Sequence, residues 1–314
     1  MRAIKVRKNA EVEKIEPKKI IKLTDMGNVK EVMYLKHRNI HGFGMKKISK
    51  DEYMIISTGE VLEYKNRIEN RSEDKESLRR TFKRIREVIN TNFTGASNEL
   101  IFTITYAENM TDTKRLYDDF RKFMKKLKYK YGEVEYINVV EPQGRGAWHC
   151  HVLLKFTSRN KIYIPNKEIA QMWAQGFCKV KGIKKDIDNI GAYLSAYLGD
   201  IELNDDNFNQ LLADGVIKLN HSINLKEVEI NGEKKKIIKG GRLHYYPPGM
   251  NIYRCSRGIK KPVVEMISYE KAIKKIGAAT PTYSSCTHIE DDEGNNLNTI
   301  IYEQYNIKKL KNQD

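Results

Sequence analysis

Glu141-Pro142-Gln143-Gly144-Arg145-Gly146-Ala147-Trp148-His149-Cys150-His151-Val152-Leu153-Leu154-Lys155-Phe156 is the stretch from which the rest of the chain can be read. Two histidines one residue apart run into an apolar segment, the pattern of a buried strand. Residues i and i+2 of a strand point to one face. His149 and His151 would therefore present two imidazoles side by side. Cys150, Val152, Leu154 and Phe156 would point the other way, into a core. In a helix the two histidines would diverge and could not chelate one ion. Pro142, Gly144 and Gly146 read as a tight connection from a preceding strand, 134–141, which ends on a carboxylate, Glu141. Two imidazoles and a carboxylate at a strand tip can hold a divalent cation with coordination positions left open.

Working outward, Leu100 to Tyr106 alternates as a strand, with Phe102, Ile104 and Tyr106 on one face and Thr103 and Thr105 on the other. A helix follows over 112–131, with Leu116, Phe120, Phe123, Met124, Leu127 and Tyr131 as its apolar stripe and Gly132 as its stop. Beyond the histidines, Asn166 is read as the cap of a short helix, Lys167 to Gln175, ended by Gly176, with Trp173 inward. Phe177 to Lys181 is a strand. The order β-α-β-β-α-β predicts an α+β fold, a ferredoxin-like or RRM-like antiparallel sheet with helices on one face. The other face is expected to be open and to carry Thr103, Thr105, His149 and His151. A further helix, Ile187 to Leu198, places Tyr193 and Tyr197 four residues apart, one turn from each other on one side.

The chain has 314 residues, enough for one large domain or two small ones. Lys and Arg number 57 against 41 Asp and Glu, a net charge of +16. Such an excess calls for a polyanionic partner, nucleic acid first. No amphipathic basic helix and no run of ~18 apolar residues stands out, so no membrane partner is expected. Met1 to Ala10 lacks the apolar core of a secretory signal. Cys150, Cys178, Cys255 and Cys286 are widely spaced with no Cys-x-x-Cys pair. That argues against a disulfide framework or zinc finger and fits a reducing cytoplasm.

Residues 1–70 read as a basic N-terminal region, 71–200 as a core with a preceding helix, and 201–314 as a C-terminal extension. The ends thus add α/β structure to the sheet. The helix before the core, 72–93, starts at Ser72 and sets Arg79, Arg80, Lys83, Arg84 and Arg86 opposite an apolar face. That basic face reads equally as solvated surface or as phosphate contact. In the extension, 227–238 is a hairpin with Asn231-Gly232 as its turn. Residues 240–261 interleave aromatics with cations, as a groove for a single strand would. Val263 to Ile276 reads as helix, and 283–305 as a hairpin turning at Asp291 to Asn296.

The Phe102-Thr-Ile-Thr-Tyr106 strand, the His149-Cys-His151 strand and the Tyr193-x-x-x-Tyr197 helix follow one another in the order of the three motifs of HUH endonucleases, which this chain resembles. Within that superfamily it is similar to the rolling-circle replication initiators (Rep proteins) of bacterial plasmids and phages. Arg79-Arg80-Thr81-Phe82 and the segment Tyr246 to Gly258 also look like segments of bacterial members. The motifs span 100–200, and the weaker flanking likeness extends over 53–262.

The resemblance implies a nuclease that nicks and joins origin single-stranded DNA by metal-dependent transesterification through a 5′-phosphotyrosine. It implies His149 and His151 as ligands of Mg²⁺ or Mn²⁺, Tyr193 as nucleophile and Tyr197 as a second one. Glu141 is taken as the third ligand, on the condition that it pairs directly with His149, since a slip of one residue would turn it to the other face. Glu135 is the reserve. The expected DNA contacts are Arg145, Lys155, Lys184, Lys185, Arg242, Tyr245, Tyr246, Arg254 and Arg257. The partners are single-stranded DNA or an origin hairpin, a host helicase and the replication machinery, because no Walker A pattern is present in the chain. Two positions depart from the family pattern. Cys150 stands where a bulkier hydrophobe is usual, and Ala196 where many relatives have a lysine; Lys184, Lys185 or Lys155 could supply that charge. Other readings are a transposase, a mobilisation relaxase, or a non-catalytic single-strand binder on an RRM-like sheet. Relaxases place the nucleophile near the N-terminus, single-tyrosine transposases are commonly much shorter, and RRM-like binders put aromatics where this face has histidines.

Overall fold

The structure is a computed structural model describing residues 5–8, 13–38, 44–49, 51–56, 58–64, 75–143, 146–183, 189–195, 201–213, 216–217, 225–230, 233–238, 240–247, 249–291 and 293–308. In chain order it begins with strands β1 (Lys5–Lys8), β2 (Ile20–Met26), β3 (Val29–Leu35), β4 (Met45–Lys47), β5 (Glu52–Ile55) and β6 (Val61–Glu63). Then come α1 (Lys75–Asn92), β7 (Glu99–Thr105), α2 (Thr113–Tyr131), β8 (Val134–Pro142), β9 (Trp148–Phe156), α3 (Asn166–Trp173), β10 (Cys178–Gly182) and α4 (Ile190–Ser195). The remainder is β11 (Ile201–Leu203), α5 (Asp205–Ala213), β12 (Leu225–Ile230), β13 (Glu233–Ile238), β14 (Tyr253–Cys255), β15 (Val263–Ser268), α6 (Tyr269–Ile276), β16 (Pro281–Glu290) and β17 (Asn296–Asn306). The fold is α+β with antiparallel sheets, as the order of elements predicts. No helix among the described residues is long and apolar enough to cross a membrane.

Two compact units emerge, and they do not follow the three consecutive segments read from the sequence. One joins residues 1–69 to 262–314; the other is 70–261. The reason is strand pairing at long range. In the first unit β15 pairs with β2, β16 with β1, and β17 with β3, giving the order β1-β16-β17-β3-β2-β15. Ala272 and Ile276 of α6 pack on Ile21, Leu23, Val32, Ile301 and Tyr305 of this sheet. The helix expected over 263–276 is in fact a strand followed by a helix. Val263 to Ser268 pairs residue for residue with β2, and the Ser268 side chain then caps α6 by accepting from Lys271 N. The hairpin expected at 283–305 is present as β16 and β17.

In the second unit the central sheet has the order β10-β7-β9-β8-β14, all antiparallel. Its first four strands with α2 and α3 form the split β-α-β arrangement. Asp112 caps α2 by accepting from Lys114 N and Arg115 N, and Gly132 ends it at φ 88°. Leu116, Phe120, Phe123, Met124 and Leu127 bury its stripe, with Phe123 edge-on to both Phe102 and Trp173. Trp173 is core, as expected, its Nε1 donating to Thr105 O at 2.8 Å. Two details of α3 differ from expectation. Asn166 lies inside the helix, and its side chain accepts from Val180 N, tying α3 to β10. Ala174, at φ 54°, ends the helix instead of Gly176. Gly176 instead allows a close approach of backbones, since a Cβ there would lie 2.5 Å from Thr105 O and Ala107 N.

A second sheet in this unit, β11-β13-β12, shares a small core with α5 through Ile201, Leu211, Ile217 and Ile238. The Asn231-Gly232 turn of its hairpin and the Ser72 cap lie outside the described residues. The fifth strand of the main sheet, β14, comes from the segment that read as a single-strand groove of interleaved aromatics and cations. The face opposite α2 and α3 is not wholly open. Ile137, Val139 and Leu153, which share it with the histidines, are buried. The end of α1 lies over it, where Lys155 Nζ donates to Asn92 O at 2.8 Å.

Candidate metal centre

The register places the site. Glu141 pairs with His149, Thr105 with His149, and Thr103 with His151. Directly opposed residues of an antiparallel pair share a face, so the condition on Glu141 is met. Its Oε2 lies 3.3 Å from His149 Nε2 and 3.5 Å from His151 Nε2, and the two Nε2 atoms are 3.1 Å apart. Thr103 Oγ1 lies 3.4 Å from Nδ1 of His151. Among the described residues no other group of three His, Cys, Asp or Glu converges in this way.

Two imidazole nitrogens and a carboxylate oxygen this close are a donor set. Ligands about 2.1 Å from an octahedral ion stand roughly 3.0 Å from one another, close to the separations here. Burial, partly opposed by the hydrogen bond to the Glu141 carboxylate, holds His149 below the ordinary histidine range. It therefore stays a neutral imidazole, the form that ligates. The Glu141 and His149 side chains are 4% and 7% exposed, but His151 is 32% exposed. Access to the cluster is thus past His151. These residues fit a divalent cation, and the set of ligands does not say which. Cys150 takes no part. It is on the reverse face, and burial pushes its thiol up to about 12.

Glu135, the reserve ligand, is engaged elsewhere. It pairs with Lys155, six residues down the strand from Glu141, and its carboxylate accepts from Ser256 Oγ and from Gly258 N at 3.1 Å.

Helix α4, with Tyr193 on its backbone, is held by a clasp that the sequence reading missed. Asn90 of α1 accepts from Gly191 N at 2.7 Å and donates to Asn189 Oδ1 at 2.8 Å; Asn189 in turn accepts from Ala192 N at 2.7 Å. Both asparagines are buried. Gly191 is required, since a Cβ would meet Arg86 O at 2.4 Å. The sequence offered no signal for it: at helical spacing Asn90 falls in line with Lys83 and Arg86, on the basic side of α1. The side chain of Tyr193 lies outside what is described, as do Tyr197, Ala196, Arg145, Lys184 and Lys185.

The other expected DNA contacts are dispersed. Arg242 joins the cluster, its Nη1 3.3 Å from Glu141 Oε2. Lys155 is paired with Glu99 and Asn92 O. Tyr246 is a core residue and not a surface ring: it is buried, its hydroxyl donates to Val140 O at 2.6 Å, and its ring rests on Trp148. Arg254 belongs to the other face of the sheet, its guanidinium 3.4 Å from the Tyr117 ring centroid on α2. Tyr245 is half-buried against the small core of β11 and α5, and Arg257 is exposed.

Residues 99–202 match a family of replication-associated proteins, the ORF2 type. The matched span runs from the first residue of β7 into β11, about a third of the chain. It takes in the β-α-β-β-α-β core, Glu141, both histidines and Tyr193. It points to a role in replication and to DNA as the partner. Asn90 and Arg242 come from outside it. No curated protein matches the chain.

Proposed function

We propose that this protein initiates rolling-circle replication by nicking and rejoining origin single-stranded DNA. The reading rests above all on the Glu141–His149–His151 cluster, on the sheet face over which α1 ends, and α1 clasps the helix that bears Tyr193. The match to replication-associated proteins and the net charge of +16 support it. Glu141, His149 and His151 would hold Mg²⁺ or Mn²⁺, which would supply Lewis-acid polarisation of the scissile phosphate and of the leaving oxygen. Tyr193 supplies the nucleophile. Its phenol oxygen loses a proton and bonds to phosphorus; the P–O3′ bond breaks, and its electron pair stays with the 3′ oxygen, which is protonated. One phosphodiester has become another, the 5′-phosphotyrosine, so a later 3′-OH can reverse the step and join the ends. Tyr197 as a second nucleophile permits successive cleavages. The free 3′-OH primes synthesis by the host machinery after a host helicase opens the duplex.

The test is incubation with an origin single strand and Mn²⁺, read on a denaturing gel and by mass spectrometry. A covalent adduct is expected, and none from the double variant Tyr193→Phe/Tyr197→Phe. A wild-type protein that forms no adduct, or a double variant that still does, overturns the reading. Undiminished single-strand affinity without Mn²⁺ binding would favour a non-catalytic binder.

A further inference from the structure

We propose that Arg242 binds the scissile phosphate beside the cation, a phosphate site supplied to the core by the C-terminal segment. The inference rests on the reading of the cluster as a DNA-nicking centre. Arg242 Nη1 lies 3.3 Å from Glu141 Oε2, the same oxygen that both histidines approach, and 3.3 Å from Pro142 O. A guanidinium held against a carboxylate already shared by two imidazoles is a counter-charge beside the place a cation would take. Once a divalent cation neutralises Glu141, the planar fork is released for another anion. Its geometry matches two oxygens of a phosphodiester.

The backbone of Arg242 is built in, not loosely draped. It sits in a 3₁₀ turn, Gly241–Tyr245, entered through Gly240 at φ 71°. Gly241 is packed so tightly on Ile201 and Ile238 that an added Cβ would lie 3.2 Å and 3.3 Å from their side chains. Just past the turn, Tyr246 is anchored on Val140 O and Trp148. The turn thus hangs between the small sheet and the tip of β8. The Arg242 side chain is 25% exposed, so a strand entering past His151 can reach it. Its Nε is buried with no hydrogen-bond partner among the described residues. Lys155, on the same face but six residues along β9 from His149, is tied to Glu99 and Asn92 O.

The experiment compares wild type with Arg242→Gln and Arg242→Lys in the full chain. Mn²⁺ affinity is measured without DNA by electron paramagnetic resonance. Single-turnover cleavage is measured on a phosphodiester strand and on one with a neutral methylphosphonate at the scissile position. In Arg242→Gln, Mn²⁺ affinity should rise by up to about tenfold, because a neighbouring positive charge is gone. Cleavage of the phosphodiester should fall by about 100-fold. On the methylphosphonate, variant and wild type should differ by no more than about twofold, since the anion that Arg242 would bind is absent. Arg242→Lys, which keeps the charge but not the fork, should lose about tenfold; it carries the same comparison if Arg242→Gln does not fold. Mn²⁺ affinity that falls together with cleavage would mean that Arg242 only braces Glu141, and equal losses on both substrates would mean that it does not touch the phosphate. Either result overturns the proposal. A wild type that forms no adduct overturns the nicking reading, and this inference with it.

Discussion

Glu141 faces His149 directly across the β8–β9 ladder, with Oε2 of one 3.3 Å from Nε2 of the other. That single pairing sets a carboxylate beside two imidazoles, three groups that could hold one metal ion. Glu141→Gln should therefore weaken Mn²⁺ binding by about 100-fold, the upper range for even an outer-shell change, and suppress cleavage with it. Glu135→Gln, on the same face but bound to Ser256 and Gly258, should leave Mn²⁺ affinity unchanged. Titration calorimetry on both variants decides between the two carboxylates.

The clasp between α1 and α4 should matter to cleavage without touching the metal. Asn90→Ala removes the buried acceptor of Gly191 N and the donor to Asn189 Oδ1, at a cost of about 1–3 kcal/mol. Urea unfolding should show that loss. Adduct formation should fall while Mn²⁺ affinity holds, because the helix bearing Tyr193 loses its tether and the ligands do not. Mn²⁺ affinity that drops alongside the adduct would count against a separate tether.

Cys150 lies between His149 and His151 in sequence but should be chemically silent. With its thiol pushed up to about 12 and the side chain buried, it carries almost no thiolate at neutral pH. Alkylation of the folded protein at about pH 8, just under the ordinary thiol value, followed by peptide mass mapping, should leave Cys150 unmodified until denaturant is added. Cys150→Val should keep full Mn²⁺ affinity.

His149 gives the metal-free protein a pH dependence of defined sign. Its folded pKa lies below the ordinary value, first through burial. Between the folded value and the unfolded value of about 6.5, the unfolded chain binds the proton and the folded one does not. Stability from this group is therefore full above about 6.5 and is lost as pH falls through that window. Thermal melts should show a shallower dependence on pH in His149→Asn than in wild type, because this titration has been removed.

Tyr246 separates a core residue from a stacking platform. Tyr246→Phe removes the bond to Val140 O and should cost about 1 kcal/mol while leaving single-strand affinity unchanged. A marked loss of DNA affinity with unaltered stability would return Tyr246 to the surface role that its neighbours in sequence suggest.

Much of this was legible in the residues because it depends on local periodicity. The two-residue repeat put His149 and His151 on one face and Cys150 on the other. The stripe of α2 and the alternation of β7 are equally local, and together they specify the β-α-β-β-α-β order. Local signals failed where partners are distant. Val263 to Ser268 forms a strand because β2 is there to pair with it, and Tyr246 is buried because Trp148 and Val140 receive it. The same holds for Arg254 on Tyr117, which looked like one more cation in a basic run.

From the chain alone come the α+β class, the chelating parity of the histidines and the helix that bears Tyr193, all consequences of side-chain spacing along one element. The folded chain adds what spacing cannot: the register that sets Glu141 against His149, the Asn90 clasp on α4, and the arrival of Arg242 from about a hundred residues away at the same carboxylate. Register and long-range contact arise from many weak pairings summed over the whole sheet. No single stretch encodes them, so they become visible only once the strands have met.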